Sequence, residues 1–175
     1  MERLVLRAGA PFGDVSFWLE EGSIVEVSLG GARGAPRAPQ PWGQSLRDHL
    51  LGRRRFPVEI DFSGISPFRV AAMREAMQIP PGVVATYGEI AERIGHPGAA
   101  RAVGSAMARN PFTLLVPCHR VVPKVGGIGN YGAGDGPATK AALLAWERRE
   151  AQGDKPSGAL ERSSRVGDRR GLQEA

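Results

Sequence analysis

The sequence predicts an α+β protein, a small sheet-based N-terminal domain (1–63) followed by a mostly helical C-terminal domain (64–150). The second carries a helix-turn-helix and the chain's single cysteine. Three features predict this. Through residues 1–30 apolar positions alternate with polar ones, the period of a half-buried strand. From Phe68 the apolar spacing lengthens to three and four, the period of a helix face. Between the two regimes stands Ser63-Gly64-Ile65-Ser66-Pro67, a run of turn-forming residues.

Leu4 and Leu6 mark a first strand, Val15, Phe17 and Leu19 a second, and Ile24 to Leu29 a third after a Gly22-Ser23 turn. Residues 30–43 are rich in Gly, Ala and Pro and read as a loop. Ser45 to Leu51 suits a short helix, and Val58, Ile60 and Phe62 a returning strand. Phe68, Ala72, Ala76 and Ile79, widened by Met73 and Met77, form a helical stripe that Pro80-Pro81-Gly82 stops. Thr86 and Glu89 make a capping box, so a helix is expected from about Tyr87 to Ile94. Gly95-His96-Pro97 breaks it, and a second helix runs from about Gly98 to Arg109 before Asn110-Pro111. The pair reads as a helix-turn-helix, a pattern that purely structural helix pairs share. On the second helix Arg101, Gly104, Ser105 and Ala108 fall outward, and Val103 and Met107 inward. Its small residues permit close approach of a partner, or of another helix. Thr113 to Val116 suits a buried strand delivering Pro117-Cys118-His119-Arg120. A glycine-rich loop, Gly126 to Gly132, precedes a last helix carrying Lys140, Leu143, Leu144 and Glu147. The charged stretch 151–175 reads as a poorly ordered tail.

Composition narrows the function. Of 175 residues, 42% are hydrophobic and 23% charged, which allows a sizeable core and excludes wholesale disorder. No stretch approaches the roughly 20 apolar residues of a membrane span, and the start lacks a signal-peptide core. A cytoplasmic protein with no membrane partner is expected. The net charge of +5 comes with 20 Arg against three Lys, which permits a phosphate-bearing partner without requiring one. A lone cysteine excludes an intramolecular disulfide and a multi-cysteine zinc site, and no metal is expected.

Cys118 is either a packed core thiol or a nucleophile. A thiol at its ordinary pKa of about 8.5 is only a few per cent thiolate at neutral pH, so a nucleophile needs a base or a positive field. His119 is the adjacent base. On an extended chain the two side chains would diverge, so a bridging water or a local turn after Pro117 is needed. Glu147 is the candidate to orient the imidazole.

Several segments then stand in a recognisable order: Thr86-Tyr87-Gly88-Glu89-Ile90-Ala91, Ala99-Ala100-Arg101-Ala102-Val103-Gly104, Asn110-Pro111, Pro117-Cys118-His119-Arg120-Val121-Val122 and Gly129-Asn130-Tyr131. Over about residues 65–147 the chain resembles the O6-alkylguanine-DNA alkyltransferases. The resemblance implies a monomeric repair protein that binds double-stranded DNA through its minor groove and flips O6-alkylguanine out of the stack. The alkyl group then passes irreversibly to the cysteine, without a cofactor, and the protein is consumed. It implies that Cys118 is the acceptor, His119 the base acting through water, Glu147 its orienting acid and Asn110 a hinge. Tyr87 would bond the base and supply a proton, and Arg101 would fill the space the base leaves. Ala102, Gly104, Ser105 and Arg109 would contact DNA, with Met107, Val121, Gly129, Asn130, Tyr131 and Gly132 around the substrate. Activity on O4-alkylthymine is a further possibility of the same chemistry.

The sequence departs from the family in places. Gly132 stands where Ser is common, Met73 where Trp is common, and the stretch from Tyr131 to Glu147 is two residues longer than in some relatives. The alternative is a non-catalytic alkyltransferase-like protein that only binds alkylated DNA. Such relatives replace the acceptor cysteine, which this chain keeps. A transcription regulator would leave the Pro-Cys-His-Arg segment unexplained, and a Cys-His hydrolase would turn over.

Overall fold

The computed structural model describes residues 1–31 and 34–153; the expected tail lies outside the described residues from 154 onward. The N-terminal alternation folds into an antiparallel sheet in the order β1 (Glu2–Arg7), β2 (Asp14–Glu20) and β3 (Ser23–Leu29). Glu21 and Gly22, both at positive φ, form the tight β2–β3 turn that the glycine announces. Val15, Phe17, Ile24 and Val27 line its buried face. Helix α1 (Trp42–Leu50) starts three residues before the expected Ser45, because Pro41 already serves as its N-cap and Trp42 is buried. Trp42 meets Phe17 edge-on at 5.0 Å, which seats the helix on the sheet.

The returning strand at 58–62 does not form. Ile24 alone pairs with this segment, through Ile24 N–H to Glu59 O and Asp61 N–H to Ile24 O, both 2.8 Å. The Asp61 side chain then accepts from Ser63 N–H and turns the chain away. The rest of that sheet edge is taken by a distant segment. Val27 N–H donates to Pro111 O (2.7 Å), and Thr113 N–H to Val27 O (3.2 Å).

The C-terminal part is mostly helical, with α2 (Pro67–Ala76), α3 (Tyr87–Arg93), α4 (Ala100–Ala108) and α5 (Pro137–Ala151). Helix α2 ends at Ala76 rather than Ile79, and the stripe closes in a turn with Ile79 N–H on Ala76 O. The capping box of α3 is complete, with Glu89 N–H on Thr86 Oγ1 (3.2 Å) and Thr86 N–H on Glu89 Oε2 (2.6 Å). Helix α4 is a residue or two shorter at each end than expected, within ordinary fraying. Two short parallel strands, β4 (Ala85–Thr86) and β5 (Val121–Val122), tie the start of the helix-turn-helix to the residues after Cys118.

Thr113 to Val116 is not a strand. It is a buried turn, with Val116 N–H on Phe112 O (2.8 Å) and Leu114 at φ 73°. An apolar run reads alike as a buried strand or a buried turn, and only its neighbours decide. Buried residues from both parts of the chain form one core, from Leu4 and Phe17 through Met73 and Ile90 to Leu143 and Trp146.

Candidate active site

Cys118 opens a single 3₁₀ turn, Cys118–Arg120, so the extended geometry that would separate its side chain from that of His119 does not arise. Cys118 is buried, with 8% of the residue exposed. Asn110 organises its approach. The amide Nδ2 donates to Val116 O (3.0 Å) and to Cys118 Sγ (3.2 Å), while Oδ1 accepts from Phe112 N–H (2.9 Å). One side chain thus fixes both ends of the turn and points a donor at the sulfur. Burial pushes the Cys118 thiol above its ordinary pKa; the Asn110 bond and the Lys140 charge act against that rise without cancelling it. The resting group is a thiol, and its reaction calls for a base.

His119 is fully buried, and its Nε2 lies 2.7 Å from Glu147 Oε1. Burial holds the imidazole below its ordinary pKa. Burial raises Glu147, but bonds from His119 and then Arg120 outweigh it and bring the carboxyl down to about 2. The two directions agree on a neutral ring beside a carboxylate. A carboxylate only accepts, so Nε2 carries the proton and Nδ1 keeps a free lone pair. Nδ1 is buried and, among the described residues, has no hydrogen-bond partner.

Three residues that the sequence left without a role complete this chain of bonds. Arg120, 4% exposed, donates to both Glu147 oxygens and to the carbonyls of Ile79 and Leu50. Gly82 N–H donates to Glu147 Oε2 (3.0 Å). Lys140, also buried, donates to Val121 O (2.7 Å) and reaches Asn130 O at 3.5 Å. Buried charges of this kind are kept only when paired or bonded, but burial itself is not written in a sequence. Helix α5 begins at Pro137 and brings the Glu147 carboxylate to His119. Trp146, edge-on to Phe12 at 4.9 Å, anchors that helix.

Around the sulfur the structure gathers several expected pocket residues. Tyr87 is half-buried, its pKa raised by burial and then by Cys118, so its hydroxyl stays protonated at neutral pH. Tyr131 is raised further, by burial first and then by Cys118 and Glu147. Met107 and Val121 are buried in the core that Cys118 joins. Gly129 must be glycine. At φ 74°, an added Cβ would stand 2.7 Å from Pro123 Cδ and 3.6 Å from the Tyr87 hydroxyl. Asn130 and Gly132 are exposed, and Gly132 lies near Ala108 O. Met73, at the position where Trp is common, is fully buried as a packing residue.

The remaining expected residues lie on α4 and at its C-cap. Arg101 and Ala102 are exposed, whereas Gly104 and Ser105 are half-buried. Gly104 faces the Tyr87 ring, 4.0 Å from where a Cβ would sit. Arg109 is exposed, and its carbonyl accepts from Arg69 (2.6 Å), which closes the C-terminus of α4. A groove of about 810 Å³, lined by His49, Arg74, Leu115, Pro117 and Arg120 among others, borders the reactive segment but includes none of the expected pocket residues.

A helix-turn-helix joined by a two-stranded sheet to a thiol, a neutral imidazole and a carboxylate defines a class: a protein with a helical nucleic-acid-binding motif and a base-assisted cysteine nucleophile. Comparison with known proteins agrees. Residues 67–149 match the family model described as 6-O-methylguanine DNA methyltransferase, DNA binding domain. The methylated-DNA–protein-cysteine methyltransferase of Mycolicibacterium paratuberculosis is 48% identical over 117 residues, 66% of this chain and 69% of that protein. Its counterpart in Mycobacterium bovis is 44% identical over 99 residues, 57% of this chain and 58% of the relative. The crystal structure of Mycobacterium tuberculosis OGT in complex with DNA superposes with a TM-score of 0.69 at 30% identity, covering 88% of this chain and 97% of that one. The chain belongs to the methylated-DNA–protein-cysteine methyltransferase family.

Proposed function

We propose that the protein repairs DNA by direct reversal, moving the alkyl group of O6-alkylguanine in duplex DNA onto Cys118, once per molecule. The observation that carries this reading is the Asn110 donor on Cys118 Sγ beside the His119–Glu147 pair, set within a chain of this family.

His119 Nδ1 takes the thiol proton through a water, and Glu147 stabilises the imidazolium that forms. The sulfur attacks the alkyl carbon, and the S–C bond forms as the C–O6 bond breaks. The electron pair leaves with guanine. Tyr87 gives that anion its hydroxyl proton, and the proton first taken from the thiol replaces it. Arg101 fills the gap left by the flipped base, recovering part of an unstacking cost of a few kcal/mol. Ala102, Gly104, Ser105 and Arg109 line the DNA face, whose small residues suit a minor groove about 6 Å wide. Met107, Val121, Gly129, Asn130, Tyr131 and Gly132 surround the alkylated base. No side chain at Gly132 reaches O6, so a backbone N–H serves there. Residues 64–150 carry the chemistry, with 1–63 as a supporting domain.

No helix among the described residues is long and apolar enough to cross a membrane. We place the protein in the cytoplasm, with the DNA. The test is intact mass after incubation with duplex DNA containing O6-methylguanine. A gain of one CH₂ on Cys118, with guanine restored, is expected. Multiple turnovers, or no gain, would overturn the reading.

A further inference from the structure

The turn before the reactive cysteine is strained and needs holding. Leu114 sits at φ 73°, a region costly for a residue with a Cβ, and such a conformation persists only where its surroundings over-determine it. Three of the restraints are described above: β3 grips Pro111 and Thr113, Phe112 O binds Val116 N–H, and Asn110 binds Val116 O. Leu115, fully buried between them, has its carbonyl held by the N-terminal domain: His49 on α1 lies with Nε2 2.9 Å from it. The opposite ring nitrogen, Nδ1, accepts from Phe56 N–H at 3.3 Å. Nδ1 therefore carries no proton, and Nε2–H is the donor to Leu115. Among the described residues no other donor is found on that carbonyl.

We propose that His49 is a positioning residue for the transfer reaction, a clamp from the N-terminal domain that holds the Leu115 carbonyl and so sets where Cys118 stands. The proposal rests on the alkyl-transfer reading and extends it to a residue that touches neither DNA nor thiol. It gives the N-terminal domain a defined part in the chemistry.

Three variants separate the two ring nitrogens. His49→Gln can place an N–H where Nε2 stands, His49→Asn can place an acceptor where Nδ1 stands, and His49→Phe keeps ring bulk with neither. Single-turnover transfer from O6-methylguanine duplex is measured with DNA affinity and Tm for each. A displacement near 1 Å costs up to about 100-fold in rate, so His49→Phe and His49→Asn should fall by about 10-fold or more. His49→Gln should recover to within about threefold of wild type. Affinity for DNA should stay within about twofold throughout, since His49 lies off the helix-turn-helix. As a substrate-free reading, the pH midpoint of Cys118 alkylation by iodoacetamide should rise in His49→Phe and not in His49→Gln, because a loosened turn withdraws the Asn110 donor from the sulfur. Rates that follow Tm alone, Asn recovering as well as Gln, or unchanged transfer in His49→Phe would each overturn the clamp. A wild type that alkylates normally with iodoacetamide yet never repairs DNA would instead overturn the function, and the midpoints would still judge His49.

Discussion

Asn110→Ala tests the core of the mechanism. The side chain makes three bonds, at 3.0, 3.2 and 2.9 Å, to Val116 O, Cys118 Sγ and Phe112 N–H. A hydrogen bond to a charged group contributes about 1.5–3 kcal/mol, and one pKa unit corresponds to about 1.4 kcal/mol. Loss of the donor to the thiolate should therefore raise the Cys118 pKa, by the free energy of that bond. At neutral pH the thiolate fraction, and with it the transfer rate, falls about 10- to 100-fold. Two backbone groups also lose their partner, at about 1–3 kcal/mol each if left dry, so stability falls by about 2–6 kcal/mol. Asn110→Asp separates the two effects. It keeps the acceptor for Phe112 N–H but sets a negative charge by the sulfur, so it should retain more stability than Ala while transferring more slowly. The assays are single-turnover transfer, the pH dependence of thiol alkylation, and urea denaturation. Wild-type transfer and an unmoved thiol midpoint in Asn110→Ala would refute the reasoning.

Acid should destabilise the fold through the buried pair. His119 is held below its ordinary 6.5 and Glu147 at about 2 against an ordinary 4.5. Both folded-state values lie under the unfolded ones, so each contribution is full above the unfolded pKa and is lost as pH falls, His119 from about 6.5 and Glu147 from about 4.5 towards 2. Glu147 accounts for about 3 kcal/mol of this; thermal denaturation across pH should show the lower limb flattened in Glu147→Gln, and an unchanged limb would contradict the assignment. Gly129→Ala forces a Cβ into 2.7 Å contact with Pro123 Cδ at positive φ, so the pocket loop must move; transfer should drop at least about 10-fold with Tm shifted little, and a normal rate would show that the loop does not shape the site. Cys118→Ser should bind O6-methylguanine duplex as wild type does but transfer nothing, whereas Arg101→Ala should transfer more slowly; equal rates for Arg101→Ala and wild type in a single-turnover assay would remove the finger role.

The sequence by itself determined the elements whose cause is local. The Thr86–Glu89 capping box, the Gly22 turn and the strands from Leu4 to Leu29 each depend on residues within a few positions, and each formed. It also named Cys118, His119 and Glu147, because residue type and order carry that pattern, and Asn110 through the family resemblance. Tertiary structure alone decided what those side chains touch. The Thr113–Val116 run became a turn because β3, Asn110 and His49 occupy its backbone partners, and the strand expected at 58–62 shrank to one bridge because the same sheet edge was claimed from more than eighty residues away. Arg120, Lys140 and Gly82 gained roles at Glu147, Val121 and Asn130 for the same reason. A hydrogen bond needs a partner in space, and a charge shifts its pKa only once water has been removed around it, so neither is fixed until distant segments have packed.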